Sequence, residues 1–93
     1  MKRLLLRSSS FVRAAKKRTE KAPQLSADIQ SALGLLATDA FQPKLKTHIL
    51  KGDLDGSWAC TAGYDLRIIF RFVSHEGNEA ILLESIGAHD EVY

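Results

Sequence analysis

Leu66-Arg67-Ile68-Ile69-Phe70-Arg71-Phe72-Val73 decides how this chain folds. In an extended chain Leu66, Ile68, Phe70 and Phe72 point one way, and Arg67, Ile69, Arg71 and Val73 point the other. One face is apolar throughout and the other carries two arginines, so the segment reads as a strand with one side against a core. Upstream, Trp58, Cys60 and Ala62 share a face of a preceding strand, and Gly63-Tyr64-Asp65 allows the turn between the two. Downstream, Ser74 to Asn78, with Gly77, is a polar hairpin loop; Ala80 to Ile86 is a last strand that Gly87 ends.

Nearer the start the period lengthens. Arg3 to Arg7 is a short strand, and Ser8-Ser9-Ser10 offers side-chain oxygens to the free N–H groups of a helix start. A helix from about Phe11 to Lys21 puts Phe11, Ala14 and Ala15 on one face and covers the rest with Arg13, Lys16, Lys17, Arg18 and Lys21. Pro23 breaks it. A second helix begins near Ser26 as N-cap, with Asp28 in its first turn and Leu25, Ile29, Leu33 and Leu36 as a continuous stripe. Residues 38–56 read as loop. The order β-α-α-β-β-β predicts an α+β fold in one domain, residues 1–93, with two N-terminal helices packed on one face of a small antiparallel sheet.

The chain has 93 residues, enough for one modest core. No apolar run approaches the roughly 18–20 residues needed to cross a bilayer, and the apolar stretch Leu4-Leu5-Leu6 is too short for a signal-peptide core. A cytoplasmic protein with no membrane partner is expected. The single cysteine, Cys60, cannot form an internal disulfide, and its apolar strand position suits a buried small side chain better than a nucleophile. The net charge of +2 conceals a segregation: residues 1–51 hold eleven Lys and Arg against three Asp and Glu, and residues 52–93 hold two against eight. A basic region of this kind suits polyanionic or acidic partners, or is a merely solvated face.

Histidine is the side chain that gives and takes protons near neutral pH, and three are present. His75, in a polar loop beside Glu76, reads as solvated; His48 lies in a basic loop. His89 follows Gly87 at a strand end, with Asp90, Glu91 and Tyr93 next, a position where sites are commonly built. Arg67 and Arg71 on one strand face offer fixed charge for a phosphate. Asp65 either reaches the same face, orients a histidine, or pairs with Arg67 on the sheet surface. Asp53-Leu54-Asp55-Gly56 lacks the further carboxylates of a calcium loop and reads as a turn. Trp58 and Phe70 are most simply core.

The segments Leu45-Lys46-Thr47-His48-Ile49-Leu50-Lys51-Gly52, Gly56-Ser57-Trp58, Tyr64-Asp65-Leu66-Arg67-Ile68-Ile69-Phe70 and Ile86-Gly87-Ala88-His89-Asp90-Glu91-Val92-Tyr93 together resemble the RelE/StbE family of type II toxins, in its YafQ-like branch. The resemblance covers nearly the whole chain and implies a RelE/ParE-like fold. It implies a metal-independent endoribonuclease without cofactor that cuts messenger RNA in the ribosomal A site. An antitoxin partner would hold it inactive and provide its only link to DNA.

Carried over by position, His89 matches the branch's histidine near the C-terminus, His48 the histidine before the Leu-x-Gly segment, and Asp65 the acidic residue before the arginine-bearing strand. Tyr93 stands where the branch has a terminal aromatic. Arg67 lies on the strand where relatives place a phosphate-binding arginine, and Lys46, Lys51 and Arg71 are expected to hold the RNA backbone. Thr61 fills the place of a further histidine, and Leu66 that of an aromatic. Threonine is no proton shuttle at neutral pH, so the weight shifts to His89. Two other functions remain open on the same scaffold: a ParE-like, non-enzymatic gyrase inhibitor, and a relative that binds RNA or antitoxin without cutting.

Overall fold

The Ser8 side chain accepts a hydrogen bond from the Phe11 N–H at 3.0 Å, and from this cap helix α1 runs over Ser9–Lys21. It buries Phe11 and half-buries Ala14 and Ala15, as the spacing predicts. Helix α2, Leu25–Thr38, buries Ile29, Ala32, Leu33, Leu36 and Ala37. The computed structural model describes residues 2–52, 56–63 and 65–88.

The expected cap at Ser26 is not used: the N-cap of α2 is Gln24, with no side-chain cap bond. The Ala22-Pro23 turn takes its place. Leu25 N–H donates to Ala22 O at 2.9 Å and Ser26 N–H to Pro23 O at 3.1 Å, so these helix-start donors already have backbone partners.

The strands are β1 (Leu4–Arg7), β2 (His48–Ile49), β3 (Trp58–Ala62), β4 (Leu66–His75) and β5 (Asn78–Ala88). They form one sheet in the order β1-β5-β4-β3-β2. The two helices lie on one face of it, the α+β arrangement the order of elements predicts. The sheet is mixed and not purely antiparallel: β1 runs parallel to β5, and every other pairing is antiparallel. The helical hairpin carries the chain from one sheet edge to the other, and three reversals then bring β5 back beside β1 in β1's own direction.

Four local departures shape the sheet. Within the expected 38–56 loop, Pro43–Leu45 forms a 3-10 turn and His48–Ile49 pairs with β3 as an edge strand. Strand β5 runs through Gly87 to Ala88 rather than ending at Gly87, because Gly87 still pairs with Arg67 and Ala88 with Leu66. The β4–β5 register also slips: Ile69 faces Ser85 while Phe70 faces Leu83, leaving Glu84 as the extra residue of a β-bulge. The bulge changes the parity of β5, so Ile81, Leu83 and Ile86 all enter the same core. The hairpin between β4 and β5 is tighter than expected, with Glu76 and Gly77 at φ 52° and 81°, the positive pair that matches strand twist.

The core lies between helices and sheet and joins Phe11, Ile29, Leu33 and Leu36 to Cys60, Leu66, Ile68, Phe70, Ile81, Leu83 and Ile86. Trp58 and Phe72 extend it at one end, where exposed Phe41 packs edge-on to Trp58 at 5.4 Å and stacks on Phe72 at 5.9 Å. Among the described residues no helix is long and apolar enough to cross a membrane.

Candidate functional site on the open sheet face

The face of the sheet away from the helices carries the polar chemistry. Side chains opposite one another in a ladder share a face, so the register gives its layout. One row reads Thr61, Arg67 and Gly87 across β3, β4 and β5. The next reads His48, Ala59, Ile69 and Ser85 across β2 to β5. Arg71 follows, opposite Leu82. Leu50, Ala59 and Ile69 form a small apolar floor between these polar groups.

The sequence expectation that Arg67 and Arg71 share a face therefore holds. Arg67 is half-buried, has no side chain opposite it at Gly87, and donates from Nη1 to Leu66 O at 3.1 Å. Among the described residues it makes no ion pair with Asp65, which is exposed in the β3–β4 turn. His48 reaches the same face from the edge strand, with Nδ1 3.0 Å from Lys46 O. Lys46 sits in the left-handed conformation at the end of the 3-10 turn, φ 51°, and with exposed Lys51 it brackets β2. Lys46, His48 and Lys51 thus form a basic rim beside the Arg67 row.

Arg71 is held in a polar cluster that the sequence does not announce. Ser57, only 3 % exposed, donates to Glu84 Oε1 at 2.7 Å and accepts from Arg71 Nη2 at 3.3 Å. Arg71 Nε lies 3.3 Å from Glu84 Oε2. Glu84 is the bulge residue, and its carbonyl also accepts from Ser8 Oγ at 3.2 Å. The sequence carries no signal for the bulge, because Ala80-Ile81-Leu82-Leu83 is an unbroken apolar run in which no change of parity shows.

His75 stands apart at the hairpin tip, 4.0 Å from Glu76. His89 and Tyr93 lie outside the described residues, as do Asp53, Leu54, Asp55 and Tyr64. Among the described residues no group of three or more His, Cys, Asp or Glu is placed to hold a metal ion.

Cys60 is fully buried under the sheet, and burial pushes its thiol up to about 12 against a small opposing pull from Arg67. The thiolate is the reactive form, so Cys60 is expected to resist a thiol-alkylating reagent at pH 8 until the protein is denatured. Rapid labelling of the native protein would contradict its burial. Because the folded value lies above the ordinary one of 9.0, the thiol's stabilising contribution is complete below pH 9 and is lost as pH rises toward 12.

Sequence comparison finds no matching family model and no matching curated relative. Comparison of folds is more informative. YafQ from Escherichia coli BL21(DE3) superposes with a TM-score of 0.78 over 98 % of both chains, at 16 % identity. A YoeB/ParE toxin from Agrobacterium tumefaciens gives 0.76 over 92 % of this chain and 98 % of its own, also at 16 %. A metal-bound toxin from Helicobacter pylori gives 0.76 over the whole of both chains at 26 % identity. The chain has the RelE-type toxin fold. Within that fold the open face bears Arg67 and Arg71 on β4 and His48 on β2, the two strands that flank β3.

Proposed function

We propose that this protein is the toxin of a type II toxin–antitoxin pair and that it cuts messenger RNA on the open face of its sheet. The observation that carries this reading is Arg67, Arg71 and His48 together on that face, rimmed by Lys46 and Lys51, within a RelE-type toxin fold. A concentration of cations with a proton-transfer group suits a phosphodiester better than an uncharged substrate.

In the proposed reaction a ribose 2′-oxygen attacks the adjacent phosphorus, its proton passing to a base, while the bond from phosphorus to the 5′-oxygen breaks. The 5′-oxygen takes a proton from an acid, leaving a 2′,3′-cyclic phosphate and a 5′-hydroxyl. His89 is the first candidate for proton transfer, with His48 and Asp65 next. Arg67 stabilises the extra charge on the phosphate. Lys46, Lys51 and Arg71 hold the RNA backbone, and Tyr93 packs on a base. The chemistry as proposed uses side chains alone, without a metal or cofactor, in the ribosomal A site of a translating ribosome in the cytoplasm.

YafQ of Escherichia coli has been solved in a toxin–antitoxin complex with DinJ. An antitoxin is likewise the partner proposed here, and its DNA-binding part would supply any contact with DNA. The outer face of α1, with exposed Arg13, Lys16, Lys17 and Lys21, offers an acidic, disordered antitoxin segment a surface on which to fold.

Inducing the protein alone is expected to arrest growth and to create new 5′-hydroxyl transcript ends. A His89→Ala variant is expected to lose both effects. Normal growth with intact messages would overturn the reading, and a fully toxic His89→Ala variant would remove His89 from the mechanism. Thr61, half-buried beside Arg67 where the resemblance implies a histidine, favours a second reading in which RNA is bound without being cut. Cleavage at defined codon positions in a translating extract excludes it. Unaffected gyrase supercoiling excludes the ParE-like alternative.

A further inference from the structure

The bulge residue Glu84 is an acidic group beside an arginine on a face read as RNA-binding. Two roles are open to such a carboxylate, and they predict opposite signs. A plain negative charge repels the RNA backbone, so its removal strengthens binding. A group that holds an arginine in place aids binding, so its removal weakens it even though the protein becomes more positive.

The geometry points to the second role: we propose that Glu84, braced by Ser57, is a positioning residue that fixes the Arg71 guanidinium for an RNA phosphate. This rests on the ribonuclease reading of the open face. The β-bulge places the Glu84 side chain beside Arg71 and Ser57, which regular pairing would not do. Ser57 is almost fully buried, and its hydroxyl is spent on both partners: it donates to Glu84 at 2.7 Å and accepts from Arg71 at 3.3 Å. A buried hydroxyl satisfied on both sides fixes the groups it joins.

The grip on Arg71 is incomplete. Arg71 Nε is buried and makes no hydrogen bond among the described residues, although Glu84 Oε2 is 3.3 Å away. The Arg71 side chain is 42 % exposed. The guanidinium is thus anchored along one edge by Ser57 and Glu84, and part of its planar fork stays open to solvent. An arginine held in this way loses less rotamer freedom when it meets a phosphate, the entropy cost that a free surface arginine would bear on binding.

The test uses the full-length protein and a fluorescent single-stranded RNA oligonucleotide, with binding measured across a range of salt. Arg71→Ala is expected to weaken binding by up to about tenfold and to flatten the salt dependence by roughly 0.7, the effect of one lost phosphate contact. Glu84→Ala is expected to weaken binding severalfold as well, and Ser57→Ala to act in the same direction. In the Arg71→Ala background, Glu84→Ala is expected to have no further effect. Glu76→Gln removes the same charge from the exposed hairpin tip and is expected to leave binding unchanged or slightly tighter.

A side-chain NMR measurement keeps the proposal separable from the reading beneath it. The Arg71 Nη–H signals are expected to be separate in the parent, where rotation of the guanidinium is hindered, and to merge in Glu84→Ala. If the parent binds RNA while Glu84→Ala binds as tightly or tighter, the positioning role is overturned. An equal further loss in the Arg71→Ala background overturns it too, because the effect would not pass through Arg71. A parent that binds no RNA overturns the RNA-binding reading; the NMR signal then still decides whether Glu84 holds Arg71.

Discussion

Replacing Phe70 with alanine is expected to destabilise the fold by about 3–5 kcal/mol, the range for deleting a large aromatic from a packed core. Phe70 is completely buried in β4, between the helices and the sheet, and packs edge-on to Phe72 with centroids 5.5 Å apart. Neither helix can slide far to fill the gap. Leu33 and Leu36 belong to the same cluster, and β3 and β5 fix the Phe70 backbone through Trp58 and Leu83. A domain of this size has a total stability of roughly 5–14 kcal/mol, so the loss is a large part of it. The melting temperature is expected to fall by about 15–30 °C, read by circular dichroism at the backbone. Val12→Ala, on the exposed side of α1, is expected to stay within about 0.5 kcal/mol of the parent. A Phe70→Ala protein that melts within a few degrees of the parent would contradict the placement of the core.

That core was legible because its signals are local. The alternation of Leu66, Ile68, Phe70 and Phe72 and the helical spacing of Ile29, Leu33 and Leu36 each state which face is buried before any partner is known. What remained hidden depends on partners distant in sequence. Nothing in Leu4–Arg7 says that it will lie parallel to β5, since that direction is set by how many times the chain reverses between them. His48–Ile49 is too short for a period to show, and it is a strand only because β3 offers it an edge. Ser26 carries a capping side chain, but the Ala22-Pro23 turn starts the helix at Leu25, so Ser26 lies inside its first turn.

The candidate site divides along the same line. Arg67 and Arg71 fall on one face by simple alternation, which the sequence alone shows. Ser57 and Glu84 join Arg71 only through a bulge and a strand pairing across 27 residues of sequence, so neither stood out as a polar group. The sequence reads His48 as loop, yet the edge pairing sets it in the same row as Ala59 and Ile69 and so on the same face as the arginines.

Arg67→Ala is expected to lower the single-turnover rate of RNA cleavage by about 10²–10³-fold, the range for removing one preorganised charge-stabilising donor. Its setting separates it from the other cations of the open face. Lys46 and Lys51 are exposed on long flexible stems at the rim, where a lost phosphate contact weakens binding and is partly offset by neighbours. Arg67 is half-buried near the start of β4, the middle strand of the sheet, where Gly87 opposite leaves its side chain room. A charge held there is worth more to a phosphate that gains negative charge in the transition state than to the same phosphate in the ground state. Lys51→Ala is therefore expected to raise KM severalfold with little change in kcat, whereas Arg67→Ala lowers kcat. Arg67→Lys is expected to recover only part of the rate, because an ammonium lacks the planar fork that spans two phosphate oxygens. If Arg67→Ala instead changed KM alone, Arg67 would join the rim cations as a backbone contact, and stabilisation of the phosphate would have to come from elsewhere on the face.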